Sequence, residues 1–225
     1  MSSEHNSIKG LDDVFRRLSF GPNPEYDSVT SAFVSLGLIL NYLDCKNDNR
    51  VIPDILGSEA LRGSDWSAAR YPRTNQFIKE LRRLFGGNPK QFELWGKRFA
   101  TKFNKGWLGL YWAKEVFVRS AYSGLGKEKV WELVTAEVAA NRPVLVIMKT
   151  LVIGEQPHNN YAVTVCGYRL GSMGARELMV HVGQYGDDVR GSRVRLDYVS
   201  LDQAICAYRF SVFVQPTAMF PALRK

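Results

Sequence analysis

Long apolar runs are missing from this 225-residue chain. The longest candidate, Ala32 to Leu43, is interrupted and falls short of the roughly 18 residues that a membrane-spanning helix needs, so no span is expected. Cysteine is scarce: Cys45, Cys166 and Cys206 are odd in number and far apart. That spacing argues against a disulfide framework or a zinc site and for a reducing compartment. His5, in a tail expected to be mobile, His158 and His181 are scattered, with no close cysteine or carboxylate pairing, so no metal centre is expected. Gly171-Ser-Met-Gly174 and Gly183-Gln-Tyr-Gly186 lack the lysine and the strand-to-helix setting of a phosphate loop. No cofactor is therefore expected. The first residues, Met1 to His5, show no basic region followed by an apolar stretch, so the expected location is cytoplasmic, with export by a specialised secretion system left open.

What is present suits a folded domain. The chain is 45% hydrophobic and 12% aromatic, enough apolar surface to offset the conformational entropy of folding. Its length fits one domain spanning residues 1–225. The net charge of +8 is unevenly placed. Between Arg70 and Arg119 there are twelve lysines and arginines against Glu80, Glu93 and Glu115, a local excess of nine positive charges. A positive face is expected there.

The first part of the chain reads as helical. Leu11, Val14, Phe15 and Leu18 recur at helical spacing before the loop residues Gly21-Pro-Asn-Pro24. Asp27 to Ser31 offer several capping oxygens ahead of Ala32 to Leu43, which is apolar on nearly all sides and reads as a buried central helix. Further helices are predicted over 74–85, 89–103, 107–120 and 127–140. After Asn141 the period changes. Pro143 to Met148 is β-branched and continuous, as a strand buried on both faces would be. It is the first of about five predicted strands, the others lying over 161–168, 177–182, 192–198 and 208–214. A helical part (1–141) followed by a mostly antiparallel sheet (142–225) is the α+β pattern.

Three segments carry a family resemblance. Ser31-Ala-Phe-Val-Ser-Leu-Gly-Leu-Ile-Leu-Asn-Tyr42-Leu resembles the central helix of papain-like cysteine peptidases of the streptopain and bacteriocin-processing (C39-like) branches, which begins with the nucleophilic cysteine. Asn141-Arg-Pro-Val-Leu-Val-Ile, then Tyr161-Ala-Val-Thr-Val-Cys-Gly167-Tyr168, is similar to the strand pair carrying the catalytic histidine six residues before a Gly-Tyr. Val180-His-Val-Gly-Gln-Tyr-Gly186 resembles the strand bearing the orienting Asn or Asp. The resemblance implies a papain-like fold with a helical lobe, a β lobe and an acyl-transfer site between them.

It also implies that the chemistry is altered. A cysteine peptidase needs a thiolate at a helix N-terminus, an imidazole beside it and a third group to orient the imidazole. By the resemblance those positions fall on Ser31, Tyr161 and Gly183, with Gln184 the nearest group able to orient anything. Upstream, where the family often keeps an oxyanion-hole Gln, stand Glu25 and Asp27, whose carboxylates would repel an oxyanion. His158, three residues before Tyr161, is a candidate base, set against the reading of a solvated loop residue between Pro157 and Asn159. Ser31 likewise reads either as nucleophile or as a helix cap. Cys45 sits at the wrong end of its helix to form a thiolate, and Cys166 and Cys206 read as core.

Three functions follow. The leading expectation is a catalytically degenerate papain-like protein, not an enzyme, that binds a protein partner through its cleft or basic lobe. The second is an active papain-like hydrolase or acyltransferase using Ser31, or a cysteine replaced at that position, with His158. The third uses Arg82, Arg83, Lys97, Arg98, Lys102 and Lys105 to bind an acidic protein or a nucleic acid. These cations alternate with Phe92, Trp95, Phe99 and Phe103, whose spacing reads as a core-facing stripe rather than a base-stacking surface.

Overall fold

The computed structural model describes residues 5–10, 28–46, 81, 83, 116–123, 126–153, 156–185 and 194–214. They form an α+β structure in which two helices pack on an antiparallel sheet. Helix α1 is Ser28–Lys46 and α2 is Lys127–Ala139. The strands are β1 (His5–Ser7), β2 (Val116–Ser123), β3 (Val144–Ile153), β4 (Gln156–Leu170), β5 (Arg176–Tyr185), β6 (Val194–Ser200) and β7 (Ala204–Val214). The sheet order is β2-β7-β3-β4-β5-β6, with β1 pairing β4 beside this path. Every pairing among the described strands is antiparallel.

Two expectations are corrected here. Residues predicted to continue a helix to Ser120 instead open β2, which pairs with β7 from Val116↔Val214 to Ser123↔Ala207. The β-branched and aromatic run Val116-Phe-Val118 favours a pleated strand. His5, read as part of a mobile tail, lies in β1 and pairs with Arg169. The predicted helices over 11–18, 89–103 and most of 74–85 lie outside the described residues, although Leu81 and Arg83 are helical.

Helix α1 is buried from Ser31 to Leu43 with no exposed face, as its predominantly apolar sequence requires, and it carries Ser31, Ser35 and Asn41 inside with it. Lys46 ends it, a cation beside the negative pole of the helix. Helix α2 buries only the stripe Val130, Val134, Glu137 and Val138. It stops by a two-bond motif: Arg142 N–H donates to the Glu137 carbonyl at 2.8 Å and Asn141 N–H to that of Val138 at 2.9 Å. Asn141 supplies the required left-handed residue, at φ 55°, and Pro143 prevents continuation.

The carboxylate of Glu137 is buried and is not left alone. Arg142 folds back onto it through Nε at 2.5 Å and a second nitrogen at 3.0 Å, and Arg209 of β7 stands 3.7 Å away. The pair fastens the end of α2 to the sheet, and removing either partner would strand a buried charge. Strand β4 lies at the centre. Its register against β5 shifts between Val165 and Gly167, so the strand bends there. Before the bend the Thr164 side chain reaches α1; after it, the Tyr168 ring meets Trp131 of α2 edge-on, with centroids 5.1 Å apart.

Candidate active site

The first turns of α1 abut β4 through hydroxyl groups. Ser31 Oγ accepts a hydrogen bond from Ala162 N–H at 3.0 Å. One turn later, Ser35 Oγ donates to the Ala162 carbonyl at 3.1 Å. The Thr164 hydroxyl then donates to the Ser35 carbonyl, also at 3.1 Å. Pairing of β4 with β5 begins only at Thr164↔His181, so two serines at helical i, i+4 spacing do for Ala162 what a neighbouring strand does farther along. Both serines are 1% exposed. Among these residues only Ser31 figured in the sequence-based site; the one available signal for Ser35 is its position one turn on in an otherwise apolar helix.

Tyr161, at the position where the resemblance puts the catalytic histidine, adjoins this contact. Its side chain is buried and its hydroxyl donates to the Val182 carbonyl at 3.2 Å. His158 does not lie in a solvated loop, as one reading had it. It is within β4, half-buried, opposite Leu151, because Pro157 at a strand edge leaves the β3–β4 pairing intact. Its ring centroid is 5.2 Å from that of Tyr161, tilted at 59°. The chain thus brings together the start of α1, Tyr161 with its neighbours, and the end of β5 around Val182. Gln184 and Gly183 belong to that last segment, although their side chains are outside the described set.

Other groups are placed away from this contact. The Cys166 thiol is fully buried, donates to the Met179 carbonyl at 3.4 Å, and burial pushes its pKa well up, the opposite of an activated nucleophile. Cys206 is core, as expected. His181, which faced no assignment in the sequence, is wholly buried on β5. No group of three or more metal-ligating side chains occurs among the described residues. Of the basic residues assigned to an anionic partner, Arg83 is exposed. Arg82, Lys97, Arg98, Lys102 and Lys105, with Glu25 and Asp27, lie outside the described residues. No described helix is long and apolar enough to cross a membrane.

No protein-family model and no curated protein matches the chain. Among solved structures it is similar to a crystal structure of UfSP from C. elegans, with 14% identity and a TM-score of 0.47. The match covers 96% of this chain and 35% of that one, so the chain spans about a third of that protein's length.

Proposed function

We propose that this chain is a papain-like protein that has lost cysteine-peptidase chemistry and acts by binding a protein partner through its cleft or the basic segment between Arg70 and Arg119. The observation that carries the reading is the Ala162 N–H to Ser31 Oγ hydrogen bond, made by a serine that is 1% exposed. It supports the family reading because the start of α1 meets β4 at Tyr161 and Ala162, the segment where the resemblance puts the peptidase site. It supports the loss of chemistry because a nucleophile needs an accessible oxygen and a base able to take its proton. The Ser31 oxygen is engaged by a backbone amide inside the core. The Tyr161 hydroxyl donates to the Val182 carbonyl, and a phenol that keeps its own proton cannot serve as the base that takes one from Ser31.

The test is direct. The intact chain is incubated with a fluorophosphonate and, separately, with a vinyl sulfone, and its mass is measured. No adduct at Ser31 and no cleavage of an unfolded casein substrate are expected. A stoichiometric adduct that disappears in a folded Ser31→Ala variant would overturn the proposal. For the basic lobe, retention on immobilised polyglutamate that weakens steeply with salt is expected, and reversal of charge at Arg82, Arg83, Lys97 and Arg98 should abolish it.

A further inference from the structure

The connection from β4 to β5 is closed by one hydrogen bond, from Gly171 N–H to the Ala175 carbonyl at 2.7 Å, around the single tight turn Ser172–Gly174. Two successive residues of that turn are left-handed, Met173 at φ 60° and Gly174 at φ 78°. Glycine enters this region without steric cost, whereas a residue with a Cβ resists it and asparagine is among the few that tolerate it. The other two described non-glycine residues with positive φ, Asn141 and Asn160, follow that preference. Met173 does not.

Packing gives no reason for a methionine at this place either. Its side chain is 103% exposed, while Met148 and Met179 are 0% and 5% exposed. Met148 lies within β3 opposite Tyr161, and the Met179 methyl sits over Gly167, 2.6 Å from where a Cβ on that glycine would stand. The fold thus uses two thioethers as core filling and holds a third in water, on a backbone that glycine or asparagine would suit better. An exposed thioether offers its surroundings an apolar contact, a soft metal ligand or a sulfur lone pair that accepts oxygen. Nothing of the described chain covers Met173, and no group of three metal-ligating side chains occurs among the described residues to complete a metal site. The lone pair needs only a dissolved oxidant.

We propose that Met173 is a reversible oxidation site for hydroperoxides. Its sulfur attacks one oxygen of hydrogen peroxide, the O–O bond breaks and an S–O bond forms. The departing hydroxide takes the proton left on the transferred oxygen and becomes water, so the sulfur loses two electrons and the peroxide gains them. The product is a polar sulfoxide at a hairpin tip whose other exposed apolar side chain is Leu170. No packing is lost, so the fold is unaffected, whereas the same oxygen on Met148 or Met179 would need room that a close-packed core lacks. Those two sulfurs are reached only when the sheet opens. The site stands apart from the Ser31–Ala162 contact and does not rest on the papain-like reading.

The experiment treats the full chain with hydrogen peroxide at neutral pH, stops the reaction with catalase at intervals, and follows the gain of one oxygen atom in each methionine-containing peptide by mass spectrometry. Met173 is expected to react about tenfold or more faster than Met148 and Met179. Repeating the reaction in urea should bring the three rates together, because the fold alone separates them. Chains carrying the oxygen at Met173 should keep their urea midpoint, and methionine sulfoxide reductases should return them to the original mass. Equal rates in the folded chain would overturn the proposal, as would a rate order that persists in urea, a lowered midpoint, or an oxygen that the reductases cannot remove. A Met173→Asn variant separates the turn from the thioether. It should raise the urea midpoint and leave oxidation of Met148 and Met179 unchanged; faster oxidation of those two would mean that Met173 serves to hold the core closed, and would also overturn the proposal.

Discussion

The two halves of β4 are secured in different ways. The first half, up to Thr164, lies between β3 and a helix whose serines and backbone hydrogen-bond directly to the strand. The second half, from Gly167, is paired with β5 on one side and on the other has, in place of the helix and β3, a three-residue strand and one buried isoleucine. From Tyr161 to Thr164 the polar groups are locked inside the core, where an unmade hydrogen bond costs most. In the second they sit near solvent, where water replaces a lost partner. The candidate catalytic contact therefore lies in the part of the strand least able to move, which suits a structural hydroxyl better than a nucleophile. In the second half it is the short cover, β1, that is placed to open.

The largest effect that separates the halves is expected at Tyr161. Tyr161→Ala removes a fully buried ring and should cost about 4 kcal/mol, read from the urea midpoint, because the core around it is close-packed. Ser31→Ala is next. It leaves the buried Ala162 N–H without its acceptor and should cost about 2 kcal/mol with no change in any hydrolytic background. The Ser31→Ala, Ser35→Ala double variant should be non-additive, since both hydroxyls serve one peptide unit. Equal, near-zero losses for both single variants would erase the contrast between the halves.

How much of this was legible follows from the range of each interaction. β3 and α2 could be read from Val144 to Met148 and from the stripe Val130, Val134, Val138, because the information is local and periodic. β2 was missed because its strand-forming residues follow directly on a stretch with helical spacing, and the partner that decides the matter, β7, is far along the chain. β1 has no apolar alternation at all; it is a strand because β4 has an edge to offer. At the candidate site, the meeting of the Ser31 and Tyr161 segments was readable through the family resemblance. The hydroxyl network was not, since its bonds join residues 127 to 131 positions apart and no sequence period records them.

An alkaline titration sharpens the comparison through Tyr42, which anchors the segment after β1. Burial, with a smaller contribution from Cys166, pushes its phenol up to about 12. A raised folded-state value means the neutral form is favoured on folding, so this stabilisation is complete below about 10, where the free phenol titrates, and is lost as pH rises toward about 12. Tyr42→Phe should lower stability at neutral pH by about 1 kcal/mol and flatten the decline above about pH 10. Urea midpoints on either side of that pH check the sign.

The smallest global effect, and the sharpest local one, is expected from His5→Leu. The imidazole contributes only the bond to Tyr198 and an edge-to-face contact at 5.9 Å, both exposed, so overall stability should change by no more than about 0.5 kcal/mol. Loss of that end of β1 should nevertheless raise hydrogen exchange at Asn6 and Ser7 while leaving Ala162 and Thr164 as protected as before. The edge strand β1 and the first half of β4 would then respond to one substitution differently, one opening and one unmoved. Equal acceleration in both would mean that β4 and its edge strand open only as a single unit.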